Sequence, residues 1–229
     1  MPTHFQGGVT NAARDGDLSQ MGQLDPTKYL TFWDDFIHEP LSTEWTITAT
    51  SAGTGTSAIT TPDTHGGMAL ITSAANENDG LFAQTIGETF LMASGKKAWL
   101  KTRLNISDAI QSDWIVGLHS TDTTPQDATM RFLFESVDGA AAVYFNNDNN
   151  TTDSDSSTVA TMVDATFLTL GAYWDGAGTI KLYADGVHVT TMSDITVPAA
   201  EMAVGFGALN GSASVETTNI DYIFVAQER

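Results

Sequence analysis

Three Asp-Gly pairs set the strongest limit on what this chain can fold into: Asp138-Gly139, Asp175-Gly176 and Asp185-Gly186. Each lies between two short runs rich in Val, Ile, Thr and aromatic residues. Asp and Gly tolerate the positive φ of a tight hairpin turn, so each pair predicts a local antiparallel hairpin. The first joins predicted strands 129–136 and 140–146, and the third joins 179–184 and 187–191. The second, extended to Asp175-Gly176-Ala177-Gly178, joins 167–174 to 179–184.

Similar runs recur along the chain, at 30–37, 45–50, 68–73, 81–85, 98–106, 114–119, 202–209 and 220–227. Within them hydrophobicity alternates. Leu100, Thr102, Leu104 and Ile106 share one face, and Trp99, Lys101, Arg103 and Asn105 the other. Ile180, Leu182 and Ala184 oppose Lys181, Tyr183 and Asp185. A strand with one buried and one wet face belongs to an antiparallel sheet. By this alternation Leu104, Phe134, Leu170, Leu182, Phe206 and Phe224 should face inward, while Trp99 should face outward or toward a partner. Only 88–93 offers a helical turn. Many short strands without helices or repeats predict an all-β, two-sheet antiparallel sandwich of the jelly-roll kind. The Trp residues at 33, 45, 114 and 174 read as core.

Two stretches break the pattern. Residues 1–29 are polar, aperiodic and Gly-rich, and predict an extended N-terminal arm ahead of a sandwich at 30–229. Its apolar anchors are Phe5, Val9, Met21, Leu24 and Tyr29, which would dock on a neighbouring subunit. The run from Asn146 to Ser157 has no apolar residue and predicts an exposed loop.

Charge narrows the partners. Nine Lys and Arg face twenty-eight Asp and Glu, a net charge of −19, which repels phosphate backbones and anionic lipid. Direct nucleic-acid binding and membrane association are not expected. No apolar run approaches the roughly 20 residues that span a bilayer, and the N-terminus does not read as a signal peptide. Without cysteine there is no disulfide and no thiolate chemistry.

No catalytic set emerges. A sandwich glycosidase carries two opposed carboxylates, as in Glu-x-Asp-x-x-Glu. The nearest match, Glu77-Asn78-Asp79-Gly80-Leu81-Phe82, puts Phe82 where the last acid belongs. There is no Gly-x-Ser-x-Gly elbow. His4, His38, His65, His119 and His188 are scattered and read as surface or packing residues rather than zinc ligands. Asp148, Asn150, Asp153 and Asp155 supply hard oxygen donors in one stretch, a calcium candidate without the Gly and distal Glu of an EF-hand. No other cofactor is expected.

Phe32-Trp33-Asp34-Asp35-Phe36, with Leu41 and Trp45, resembles the opening strand of concanavalin A-like (laminin-G-like) domains. So do the hairpins Leu170-Gly171-Ala172-Tyr173-Trp174-Asp175-Gly176 and Ile180-Lys181-Leu182-Tyr183-Ala184-Asp185-Gly186-Val187, and the last strand, Ile220-Asp221-Tyr222-Ile223-Phe224-Val225. A narrower likeness runs nearly end to end. Phe5-Gln6-Gly7-Gly8-Val9-Thr10, Asp25-Pro26-Thr27-Lys28-Tyr29, Gly95-Lys96-Lys97-Ala98-Trp99, Thr121-Asp122-Thr123-Thr124-Pro125 and Asp221-Tyr222-Ile223-Phe224 resemble tailed-phage virion structural proteins. That resemblance implies a non-enzymatic capsid decoration (cement) protein, made in the host cytoplasm and placed on the outer surface of the capsid. It would bind the major capsid protein lattice and its own copies, as a homo-oligomer such as a trimer. The alternative is a carbohydrate-binding β-sandwich, recognising a surface glycan or assisting a glycanase.

Overall fold

The computed structural model describes residues 27–37, 43–51, 53, 55–62, 66–150 and 154–229. The arm anchors Phe5, Val9, Met21 and Leu24, the histidines His4, His38 and His65, and Leu41 and Asp153 lie outside these residues. Two antiparallel sheets face each other, and no α-helix occurs among the described residues. The fold is the expected two-sheet jelly roll.

The strands, in chain order, are β1 (Tyr29–Asp34), β2 (Trp45–Thr50), β3 (Ala58–Thr60), β4 (Ala69–Thr72), β5 (Gly80–Thr85) and β6 (Phe90–Leu91). Then follow β7 (Ala98–Ile106), β8 (Ser112–His119), β9 (Met130–Ser136), β10 (Ala142–Asn149) and β11 (Ser154–Thr161). The last are β12 (Leu168–Trp174), β13 (Thr179–Ala184), β14 (Val187–Ser193), β15 (Glu201–Asn210) and β16 (Thr217–Glu228). The first sheet runs β14-β13-β12-β7-β16-β4-β3, with β1 also paired to β16. The second runs β11-β10-β9-β8-β15-β5-β2, with β6 on β15.

Local chemistry explains much of this. Asp185 and Gly186 take φ of 49° and 77°, the paired positive values that turn a right-twisted hairpin, and β13 pairs with β14 beside them. β1 stops at Asp34, before the expected end at 37, because the Asp34 carboxylate accepts the Phe36 N–H at 2.8 Å. Phe36 there takes a φ of 54°, which no strand continues.

Between the sheets lies one core. Leu100, Leu104, Phe134, Leu170, Leu182 and Phe206 are all buried in it. Its centre is aromatic: Trp45 meets Phe206 edge to face at 4.9 Å, and Phe145 meets Phe132 at 4.8 Å and Phe134 at 5.0 Å. Trp114 and Trp174 join this core, whereas Trp33 is 56 % exposed.

Several expectations are corrected, among them Trp33, which was expected in the core and stands exposed. Phe224 does not enter the core. The β16 register shifts between Ile220 and Tyr222, so Ile220, Ile223 and Val225 point inward and Phe224 points out. Trp99 faces outward as its alternation requires, yet it is only 1 % exposed, because Tyr29, Tyr173 and Phe224 pack around it. The turn expected at 88–93 is instead β6, whose Phe90 is opposite Met202. The run from Asn146 to Ser157 is mostly the β10–β11 hairpin, and Asn146, Asn147 and Asp148 are buried. Part of this buried polar surface is compensated: Asn147 Nδ2 donates to Thr196 O at 2.9 Å.

Candidate functional site

On the outer face of the second sheet, alternate residues of five strands fall into rows. β10 contributes Tyr144, Asn146 and Asp148, β9 contributes Glu135, Leu133 and Arg131, and β8 contributes Ile115, Gly117 and His119. β15 and β5 add Gly207, Gly205 and Ala203, and Phe82 and Gln84. One row reads Tyr144, Glu135, Ile115, Gly207, Phe82. The next reads Asn146, Leu133, Gly117, Gly205, Gln84. The third reads Asp148, Arg131, His119, Ala203. Phe82, Ile115 and Leu133, with Leu209, form an apolar floor separate from the core.

A half-buried charge cluster lies on the same face. Arg131 Nε donates to Asp148 Oδ2, and its Nη1 reaches Glu135 Oε2 at 3.3 Å and Gln126 O at 2.7 Å. Burial pushes the Glu135 carboxyl above the ordinary carboxylate range. Arg131 and a hydrogen bond with Asn146 oppose that shift, and the charges of Asp148 and Asp113 add to it. His119 is buried, which lowers its pKa. Its Nδ1 lies 2.8 Å from Ser120 O. A carbonyl only accepts, so Nδ1 carries the proton and Nε2 is a bare acceptor. That Nε2 lies over Gly205, where a Cβ would collide with it.

Among the described residues, two buried acceptors on one row lack a donor: His119 Nε2 and Asp148 Oδ1. One end of the site is fixed by the loop after β8. Gln84 and Asp122 exchange hydrogen bonds of 2.9 and 3.1 Å, and Glu88 Oε1 accepts from Thr121 N and Oγ1.

Sequence reading found little of this. Asp148, one of the calcium candidates, enters the cluster as an ion-pair partner of Arg131. Asn150 follows the end of β10, and Asp155 lies on β11 opposite Asn147. No group of three or more His, Asp or Glu fit for a metal occurs among the described residues. Glu77 is exposed in a turn. Asp79 is buried, and it accepts from Gly53 N at 3.2 Å and Asn76 Nδ2 at 3.0 Å, bracing that turn. Tyr29, the one described arm anchor, belongs to β1 and packs on Trp99 with ring centroids 5.8 Å apart. Arg131 and Glu135 lie four apart on β9 with no local signal of a site, and only ladder register brings His119, read as a surface or packing residue, into the row of Arg131 and Asp148.

No family model matches the chain, and no curated protein sequence matches it. Solved structures do. The chain is similar to an endo-1,3-beta-glucanase from Streptomyces sioyaensis, at 15 % identity and a TM-score of 0.57, covering 90 % of this chain and 98 % of that one. It is similar to a Bacillus licheniformis beta-glucanase, at 14 % identity and a TM-score of 0.59, covering 85 % and 97 %. It is also similar to the Emp47p carbohydrate recognition domain, at 10 % identity and a TM-score of 0.58, covering 89 % and 98 %. These likenesses give the fold, a concanavalin A-like jelly roll of the glucanase type, which occurs in enzymes and binding domains alike.

Proposed function

We propose that this chain is a carbohydrate-binding β-sandwich whose ligand lies across the outer face of the second sheet. The observation that carries this reading is the pair of donorless acceptors, His119 Nε2 and Asp148 Oδ1, on one row beside Arg131. A buried acceptor without a donor costs roughly 1–3 kcal/mol. A polyol brings hydroxyl donors to satisfy both, and the partly exposed Tyr144 offers its rings a surface. The similar solved structures named as glucanases and as a carbohydrate recognition domain support a glycan as ligand.

Binding is favoured over hydrolysis. Glycoside cleavage needs one protonated acid and one free carboxylate, and here both carboxylates share the Arg131 guanidinium. The resemblance to tailed-phage structural proteins gives such a module a place on a virion's outer surface, with the major capsid protein and sister copies as partners. In that setting glycan binding would serve adhesion, and the similar structures favour this over capsid cementing.

Titration calorimetry with a β-1,3-glucan oligosaccharide tests the reading. The unaltered chain should bind without releasing reducing ends, and Tyr144→Ala or His119→Leu should weaken binding at least tenfold. Equal affinity in both variants would refute the site. Released reducing ends that vanish in Glu135→Gln would make the protein a hydrolase.

A further inference from the structure

The outer face of the first sheet and the strand ends at its edge collect most of the few cations in this acidic chain. Lys101 and Arg103 on β7 and Lys181 on β13 occupy the alternate positions that face away from the core. Lys28, Lys96, Lys97 and Arg229 sit where the ends of β1, β7 and β16 meet. There Glu228 N donates to Lys97 O at 2.9 Å, and Arg229 N to Lys28 O at 2.8 Å. Seven of the nine Lys and Arg thus lie on this sheet or beside the ends of its strands.

Aromatic rings alternate with these cations. Trp33 stacks on Tyr222 at 5.2 Å with 16° between the planes, and 56 % of it remains exposed. Lys101 Nζ lies 5.8 Å from the Tyr222 ring centre, and the Arg103 guanidinium lies 3.9 Å from that of Phe167. Arg103 pairs with Asp221 at 2.6 Å, whereas no carboxylate among the described residues pairs with Lys101. Burial pulls Lys101 below the ordinary lysine range. A partly desolvated ammonium without a counter-ion is unfavourable, and an incoming anion relieves it.

We infer that this face, centred on Trp33, Tyr222, Lys101 and Arg103, binds an acidic polysaccharide. A sugar ring stacks on the open indole, and carboxylate or sulfate groups along the glycan meet Lys101 and Arg103. These two residues are two apart on β7, about 6.6 Å by strand rise, a spacing on the scale of one sugar ring. Nucleic acid fits less well. Duplex DNA carries about one charge per 1.7 Å and meets the full repulsion of a chain of net charge −19, whereas an acidic glycan is less densely charged. This surface lies on the opposite side of the sandwich from the site proposed above and does not depend on it.

The test is affinity of the full chain for polygalacturonate, chondroitin sulfate, neutral dextran and poly(dT), with Trp33→Ala, Trp33→Phe and Lys101→Gln beside it. One or both acidic glycans should bind, less tightly as salt rises, and dextran should not. Trp33→Ala and Lys101→Gln should each weaken binding at least tenfold, Trp33→Phe less. Tyr144→Ala should leave acidic-glycan affinity intact, and Trp33→Ala should leave β-1,3-glucan affinity intact, so either site can fail alone. Absence of binding to both acidic polymers, indifference to Trp33→Ala and Lys101→Gln, or tighter binding of poly(dT) would overturn the inference.

Discussion

Arg131 and Asp148 sit directly opposite each other on the β9–β10 ladder, and the guanidinium grips a carboxylate whose side chain is only 7 % exposed. The Arg131 side chain is 22 % exposed, so Asp148 is the more deeply buried partner and Arg131 is its principal counter-charge.

Replacing Arg131 by Met therefore leaves the buried Asp148 and the half-buried Glu135 without their cation. Losing one partner of a buried pair costs on the order of 3–5 kcal/mol, and urea denaturation should show a loss in that range. The double variant Arg131→Met/Asp148→Leu should recover a large part of it. No recovery would mean that the aliphatic stem of Arg131, not its charge, stabilises the hairpin.

His119 makes stability depend on pH in a set direction. Its folded pKa lies below the ordinary 6.5 because burial disfavours the cation. The unfolded chain thus binds a proton that the folded chain refuses, and stability falls as pH drops through about 6.5 and below. One proton sets a slope of at most about 1.4 kcal/mol per pH unit. Denaturation midpoints between pH 7.5 and 5 should show the decline in the unaltered chain and a flatter profile in His119→Gln. Parallel profiles would place the responsible group elsewhere.

Gly205 is the seat for that imidazole. Gly205→Ala puts a methyl group into His119 Nε2 and should cost about 1–3 kcal/mol as overpacking. The cost should shrink in a His119→Ala background, where the space is empty. A double-mutant cycle by chemical denaturation reads this coupling directly, and strict additivity would disprove the contact.

Two phenylalanines separate inside from outside. Phe206→Ala empties the aromatic centre around Trp45 and should cost about 3–5 kcal/mol. Phe224→Ala removes only a ring on the outer aromatic layer and should cost roughly 1 kcal/mol. Comparable losses in thermal denaturation would contradict the register set by the β16 irregularity.

Alternation and turn chemistry determined much by themselves. β7 and β13 run from Ala98 to Ile106 and from Thr179 to Ala184, as their period of two required. The Asp-Gly turns fixed which neighbours pair, because a positive φ at Asp185 and Gly186 is a local property of those residues. Even Trp99 was assigned the correct face. Its burial was not legible, since Tyr29 and Tyr173 come from strands far away in sequence. Phe224 was misread for a related reason: a single register shift before Tyr222 reverses which side chains point inward, and nothing in the local residue pattern marks it. The Asn- and Asp-rich run was read as a loop because polarity suggests solvent, until Arg131 and Thr196 arrived as partners. Residue period and turn propensity act over a few neighbours, so the sequence alone could specify strands and hairpins. The row of Asp148, Arg131 and His119 exists only because three strands hydrogen-bond in one register, and that was decided by the packing of both sheets on a common core.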